Sequence, residues 1–249
     1  MARTLILEVE GVSKTFGGLV ALSNISLTVP NNDTVALIGP NGSGKTTLFN
    51  IITGFIRPDS GRVRFANKDI TGCKPHEICR LGIARTFQLS KPFMHMSTIE
   101  NIVTGHMFGR NNTSKPSEAG KRAEEVLKFT GLAEKSRIPA KNLTAIDRRK
   151  LEIARALACD PTLLLLDECM AGLNPTETDE TVRLLEAVRS EKNITIVLIE
   201  HVMKAVMRIS NKVVVLDGGE KIAEGKPTEI SNDPLVIEAY LGKGAGEES

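Results

Sequence analysis

The sequence predicts an α/β fold built on a mainly parallel sheet and interrupted by a helical insertion, and three observations carry that prediction. Four short apolar runs without alternation, Thr34–Ile38, 162–166, 194–199 and 213–216, read as strands buried on both faces. Helical patterns separate them, as crossovers between parallel strands require. The stretch 88–160 has few β-branched runs and several helix-like segments, such as 123–129 and 147–158, and reads as the insertion. At 249 residues with 41% hydrophobic and 25% charged residues, the chain has ordinary globular composition, which excludes collagen-like and disordered classes.

The elements follow in order. Leu5, Leu7 and Val9 alternate with other residues, and Ile25, Leu27 and Val29 do so again after a Gly17-Gly18 turn, which predicts two strands. The strand 34–38 leads through a glycine-rich segment into a helix over 46–53. The polar Gly/Asn/Ser-rich segment 109–120 reads as an exposed loop. Near the end, Asp217-Gly218-Gly219 before Lys221-Ile222-Ala223 reads as a hairpin.

Charge and cysteine content narrow the function classes. Lys plus Arg is 32 against 30 for Asp plus Glu, a net charge of +2, so no nucleic-acid partner is expected. Cys73, Cys79, Cys159 and Cys169 show no C-x-x-C spacing, which argues against zinc and for scattered reduced thiols. Glu8 falls too early for a signal-peptide core, and no apolar run reaches the roughly 20 residues that span a bilayer. The expected location is cytoplasmic.

Gly39-Pro40-Asn41-Gly42-Ser43-Gly44-Lys45-Thr46 fits G-x-x-x-x-G-K-[ST] between a predicted strand and a predicted helix. Glycines let backbone N–H groups wrap an anion, and the helix N-terminus adds favourable partial charge. Lys45 is predicted to reach the β- and γ-phosphates, and the Thr46 hydroxyl to ligate Mg²⁺; Thr47 completes the nucleotide-binding set. Leu163-Leu164-Leu165-Leu166-Asp167-Glu168 places two carboxylates at a strand's C-terminal end, where α/β sheets bind ligands. Asp167 is predicted to hold Mg²⁺, and Glu168 to polarise the attacking water. Asn67-Lys68-Asp69 resembles the guanine-reading N-K-x-D, but its Asp is one place early and it precedes the acidic strand, so a guanine-nucleotide reading fails.

These motifs, separated by a helical insertion, resemble the ATP-binding subunit of an ABC transporter, and the resemblance covers nearly the whole chain. It implies a P-loop NTPase (RecA-like) core with an N-terminal antiparallel β subdomain and an inserted α-helical subdomain. The expected organisation is one domain over 1–249, with 1–87 and 161–249 as the nucleotide-binding core and 88–160 as the helical subdomain. By the same resemblance Phe16 stacks on adenine, Gln88 contacts Mg²⁺ and the attacking water, and His201 contacts the γ-phosphate. The cofactors implied are ATP and Mg²⁺. Ala171-Gly172-Leu173-Asn174-Pro175 corresponds to the loop crossing the dimer interface, with Asn174 where the family usually has Asp; Asn174, Pro175 and Glu177 also make a good helix start.

One segment departs from the family pattern. Where the family has L-S-G-G-Q, this chain has Leu143-Thr144-Ala145-Ile146-Asp147. Thr144 keeps a hydroxyl for a partner's γ-phosphate, Ile146 adds bulk, and Asp147 brings a carboxylate; Thr144 and Asp147 also fit an ordinary helix cap. The resemblance therefore implies pairing with a different ATPase that carries a better signature, although a homodimer is open.

Within the family the likeness is to branched-chain amino-acid importer subunits, carried by Gly54-Phe55, Arg85-Thr86-Phe87-Gln88, Asn174-Pro175, Asp233-Pro234 and Glu238-Ala239-Tyr240-Leu241-Gly242. It implies ATP hydrolysis driving uptake of branched-chain or other amino acids, amides or urea. The implied partners are two membrane permease subunits, a second ATPase subunit and, indirectly, a periplasmic or extracellular solute-binding protein, on the inner face of the cell membrane. The segment 91–99 is the expected permease-contacting surface. A soluble ABC ATPase of DNA repair or translation is the rival, but such proteins carry two ATPase units or a long coiled-coil insertion. A small-molecule P-loop kinase would not account for Gln88, His201 and the signature-like segment in that order.

Overall fold

The computed structural model describes residues 4–87, 92–110 and 115–241. In chain order the elements are β1 (Leu5–Phe16), β2 (Leu19–Pro30), β3 (Thr34–Ile38), α1 (Lys45–Ile52), β4 (Ser60–Phe65), β5 (Lys68–Asp69), α2 (Pro75–Leu81) and β6 (Ile83–Arg85). There follow α3 (Thr98–Phe108), α4 (Pro116–Phe129), α5 (Ala145–Ala158), β7 (Leu163–Asp167) and α6 (Pro175–Lys192). The chain then runs through β8 (Thr195–Ile199), α7 (Met203–Ile209), β9 (Lys212–Asp217), β10 (Glu220–Gly225), α8 (Pro227–Ile230) and α9 (Pro234–Leu241). It divides into two compact units, Met1–Pro75 with Thr195–Ser249, and His76–Ile194.

The first unit holds an antiparallel sheet ordered β2-β1-β4-β5, the predicted N-terminal β layer. Val9 of β1 opposes Leu27 of β2 and Val63 of β4, and all three are buried, so alternation in sequence becomes one covered face. The other sheet strands of this unit run β10-β9-β3-β8, with β3 parallel to both β8 and β9. All five residues of β3 and of β8 are buried, which is why neither alternates. The hairpin β9–β10 closes the unit as predicted.

The second unit pairs β6 with β7 in parallel, Ile83 opposite Leu163 and Arg85 opposite Leu165. Helices α3, α4 and α5 of this unit share one apolar cluster: Ile102 of α3, Ala123 and Leu127 of α4, and Leu151, Ala154 and Ala158 of α5. Here the loop expected over 109–120 is corrected. Helix α4 already begins at Pro116, because proline is favoured at the first helical position. Gly109 is buried against Cys159, where an added Cβ would come within 2.5 Å of the Cys159 Cα. Residues 111–114 lie outside the described residues.

Leu151 is fully buried at the meeting point of the three helices. Leu151→Ala is expected to cost about 2–5 kcal/mol of unfolding free energy in urea denaturation, and Leu151→Met less than about 1.5 kcal/mol.

Candidate functional site

In the first unit the chain leaves β3 at Ile38 and reaches α1 through Gly39–Gly44. Gly39 sits at φ +146°, and a Cβ there would lie 1.9 Å from the Leu216 carbonyl oxygen of β9. Only glycine lets the strand end approach its neighbour so closely. Gly44 precedes α1 at φ +100°, and no side chain caps the helix, so its first-turn N–H groups are open to an anion. Lys45 is buried, and its Nζ donates to Gly39 O at 2.8 Å, Pro40 O at 2.7 Å and Ser43 Oγ at 3.3 Å. The lysine thus closes the loop on itself, and an incoming phosphate would compete with those oxygens for the ammonium. Thr46 is exposed at the helix start, and Thr47 is half-buried.

Two more predicted residues belong to this unit. Phe16 ends β1 with 46% of its surface exposed, so it is not a core side chain; Lys14 Nζ sits 5.5 Å from its ring centroid. His201 follows β8, exposed, with its backbone N–H donating to the Glu200 carboxylate at 3.3 Å.

A residue that the sequence argument gave no site role also reaches the loop. Tyr240 of α9 accepts a hydrogen bond from the Gly39 N–H at 2.8 Å, and burial holds its phenol above the usual range. Its signal, the only tyrosine of the chain, is visible, but nothing in the spacing places it there.

In the second unit Asp167 ends β7 almost fully buried. Arg85 Nη2 donates to its Oδ2 at 2.7 Å, and the Asp167 N–H donates to Thr86 Oγ1 at 3.1 Å. Its other oxygen, Oδ1, is buried with no hydrogen-bond partner among the described residues. A buried carboxylate oxygen without a partner is costly, and an Mg²⁺ ion or a water bound to one would satisfy it. Glu168 follows at φ +50°, a conformation that surroundings must impose on a non-glycine residue. Arg85 was quoted in the sequence only as part of a motif; as the partner of Asp167 it is a positioning residue that strand pairing alone reveals. Gln88 lies outside the described residues.

Thr144 caps α5. Its hydroxyl donates to Asp147 Oδ2 at 2.5 Å and accepts from the Asp147 N–H at 3.3 Å, while Lys135 Nζ binds the same carboxylate oxygen at 2.7 Å. The cap is therefore real, and Lys135 neutralises the Asp147 carboxylate. Burial opposes ionisation of Asp147, but the hydrogen bonds from Lys135 and Thr144 outweigh it and hold its carboxyl below the usual carboxylate range. Asn174 caps α6 in a full capping box with Glu177, as its sequence suggested.

The chain is similar to known proteins along nearly all its length. Residues 22–171 match the family described as ABC transporter, and residues 220–246 match the branched-chain amino acid ATP-binding cassette transporter family. The high-affinity branched-chain amino acid transport ATP-binding protein LivG of Salmonella typhimurium is 43% identical over 96% of this chain and 98% of its own. Among solved structures, the ADP conformation of an ATP-binding cassette of an ABC transporter superposes with a TM-score of 0.87 at 33% identity, covering 96% of this chain and all of that one. A dimeric post-hydrolysis cassette bound to ADP and Pi gives 0.80 at 26% identity, covering 89% and 99%.

Two outcomes follow from the geometry. Arg85→Met strands the buried Asp167 charge and is expected to cost about 3–5 kcal/mol in denaturant unfolding. The depressed Asp147 pKa contributes stability that is present above its unfolded value and is lost as pH falls through the folded one; Asp147→Asn should flatten the acid limb of a stability–pH profile below about pH 4.

Proposed function

The chain belongs to the ABC transporter family as an ATP-hydrolysing subunit that drives import, and on that premise we propose that it powers uptake of branched-chain amino acids or a related small polar solute. The observation that carries the chemistry is the loop held by Lys45 at an uncapped helix start, an arrangement suited to phosphate. Among the described residues no helix is long and apolar enough to cross a membrane, so transport requires membrane partners.

The proposed roles are these. Gly39, Pro40, Asn41, Gly42, Ser43, Gly44, Lys45, Thr46 and Thr47 hold the ATP phosphates, and Phe16 stacks on the adenine; its exposure supports this. Thr46, Asp167 and Gln88 would hold Mg²⁺, which when bound neutralises phosphate charge. The partnerless Oδ1 of Asp167 supports that assignment. Glu168 takes the proton of the attacking water, and His201 meets the γ-phosphate. The nucleotide-binding core is 1–87 and 161–249, with 88–160 as the helical subdomain.

The proposed assembly has two ATPase subunits and two permeases on the inner face of the cell membrane, served by a periplasmic or extracellular solute-binding protein. Thr144 would contact a partner's phosphate only by exchanging its bond to Asp147, which makes this chain the weaker signature donor and favours a heterodimer. Part of 91–99 is suited to meet a permease: Phe93 and Met94 are exposed while the buried Asn101 side chain binds the Phe93 backbone at 2.8 and 3.1 Å. Lys91 lies outside the described residues.

Glu168→Gln should lower ATP turnover by about 10²-fold or more while ATP still binds. By light scattering with ATP–Mg²⁺, that variant is expected to stay monomeric alone and to pair with an ATPase bearing L-S-G-G-Q. Reconstituted with its permeases, the wild type should import labelled leucine only with ATP; ATP-dependent import of no amino acid, amide or urea would overturn the reading.

A further inference from the structure

We propose that Cys79 and Cys159 form a reversible dithiol–disulfide site that makes ATP turnover sensitive to peroxide. The two residues are 80 positions apart in sequence, and strand register brings them together. Ile83 pairs with Leu163 in the parallel β6–β7 ladder, and each cysteine lies four residues before its member of that pair. Adjacent strands run about 4.8 Å apart, and this pairing begins directly after the two segments that carry the cysteines. Gly82 N–H closes onto Cys79 O at 3.0 Å, and Thr162 N–H onto Gly82 O at 2.8 Å, which ties the two segments directly upstream of the strands. The Cys159 thiol is near enough to act on Cys79, and its Sγ–H also faces the Arg155 carbonyl at 3.5 Å.

The surroundings divide the labour between them. Interaction with the Cys159 thiol lowers Cys79 to about 7, with burial opposing and the Arg80 guanidinium assisting. Cys159 is pushed up by the same interaction and by burial, so it keeps its proton. Its position is fixed: its carbonyl accepts from the Arg110 N–H at 2.9 Å, and Gly109 packs against its Cα with no room for a side chain. Both cysteines are partly accessible, whereas Cys169 is buried.

The chemistry balances with hydrogen peroxide as oxidant. The Cys79 thiolate attacks one peroxide oxygen, the O–O bond breaks, Cys79 becomes a sulfenic acid, and the released hydroxide takes a proton to leave as water. The Cys159 sulfur then attacks the Cys79 sulfur; the S–S bond forms as the S–O bond breaks, and the second hydroxide leaves as water with the Cys159 proton. Two thiols are oxidised and one peroxide is reduced to two waters. A dithiol reverses the reaction through a mixed disulfide. Once closed, the bridge pins the C-terminal end of α5, the helix that Thr144 caps, to the end of α2. The effect on turnover rests on the proposed role of that helix start.

The full-length protein, treated with hydrogen peroxide, unfolded and alkylated, should show two of its four thiols blocked and one peptide joining Cys79 to Cys159. ATP turnover should fall in step and recover with dithiothreitol, and Cys79→Ser should turn over normally and ignore peroxide. Four alkylated thiols after peroxide, a bridge to Cys73, or equal turnover before and after oxidation would each overturn the proposal. A reduced protein that hydrolyses no ATP would indict the ATPase assignment instead, and the thiol count would still decide the bridge.

Discussion

β3 is hydrogen-bonded along one edge to β8 and along the other to β9, with every side chain buried. A strand so enclosed cannot slide by one residue without exchanging its faces and breaking two ladders. Its end is therefore a fixed point, and the phosphate loop inherits that fixity. The 1.9 Å approach that a Gly39 Cβ would make to Leu216 O measures how tightly the loop's first residue is pressed on β9. The helix that follows starts where the sheet dictates, and its open N–H groups are aimed before any ligand arrives.

Preorganisation of this kind lowers the cost of binding, because little chain entropy remains to be lost. Lys45 adds an exchange: its ammonium is already desolvated among Gly39 O, Pro40 O and Ser43 Oγ. A bound phosphate would take the lysine by replacing neutral oxygens with charged ones, which form stronger hydrogen bonds to a cation. In the second unit, Asp167 shows a related economy. Arg85 takes one carboxylate oxygen and fixes the group's orientation, while the other stays without a hydrogen-bond partner among the described residues.

The local features were legible in the sequence because local physics decides them. The bounds of β3 were read to the residue, since a buried strand between the polar turn Asn31-Asn32-Asp33 and a glycine-rich loop has few alternatives. The caps at Thr144 and Asn174 followed from side-chain chemistry three residues deep. The start of α4 was misplaced because polar, glycine-rich composition was allowed to outweigh Pro116, a residue that begins helices. What stayed hidden is non-local. Arg85 with Asp167, Lys135 with Asp147, Tyr240 with Gly39 and Cys79 with Cys159 are joined by register and packing, and no spacing rule connects them. Cysteines read as scattered are neighbours once β6 and β7 align.

The bond between Gly39 and Tyr240 spans 201 residues, and β9, which presses on the same glycine, is also made late. On a ribosome adding about 5–20 residues per second, the loop emerges roughly 10–40 s before the groups that finally shape it. During that interval neither the Leu216 carbonyl nor the Tyr240 hydroxyl exists to define the start of the loop. The finished shape of the loop thus waits for β9 and α9, which are made long after the loop's own residues.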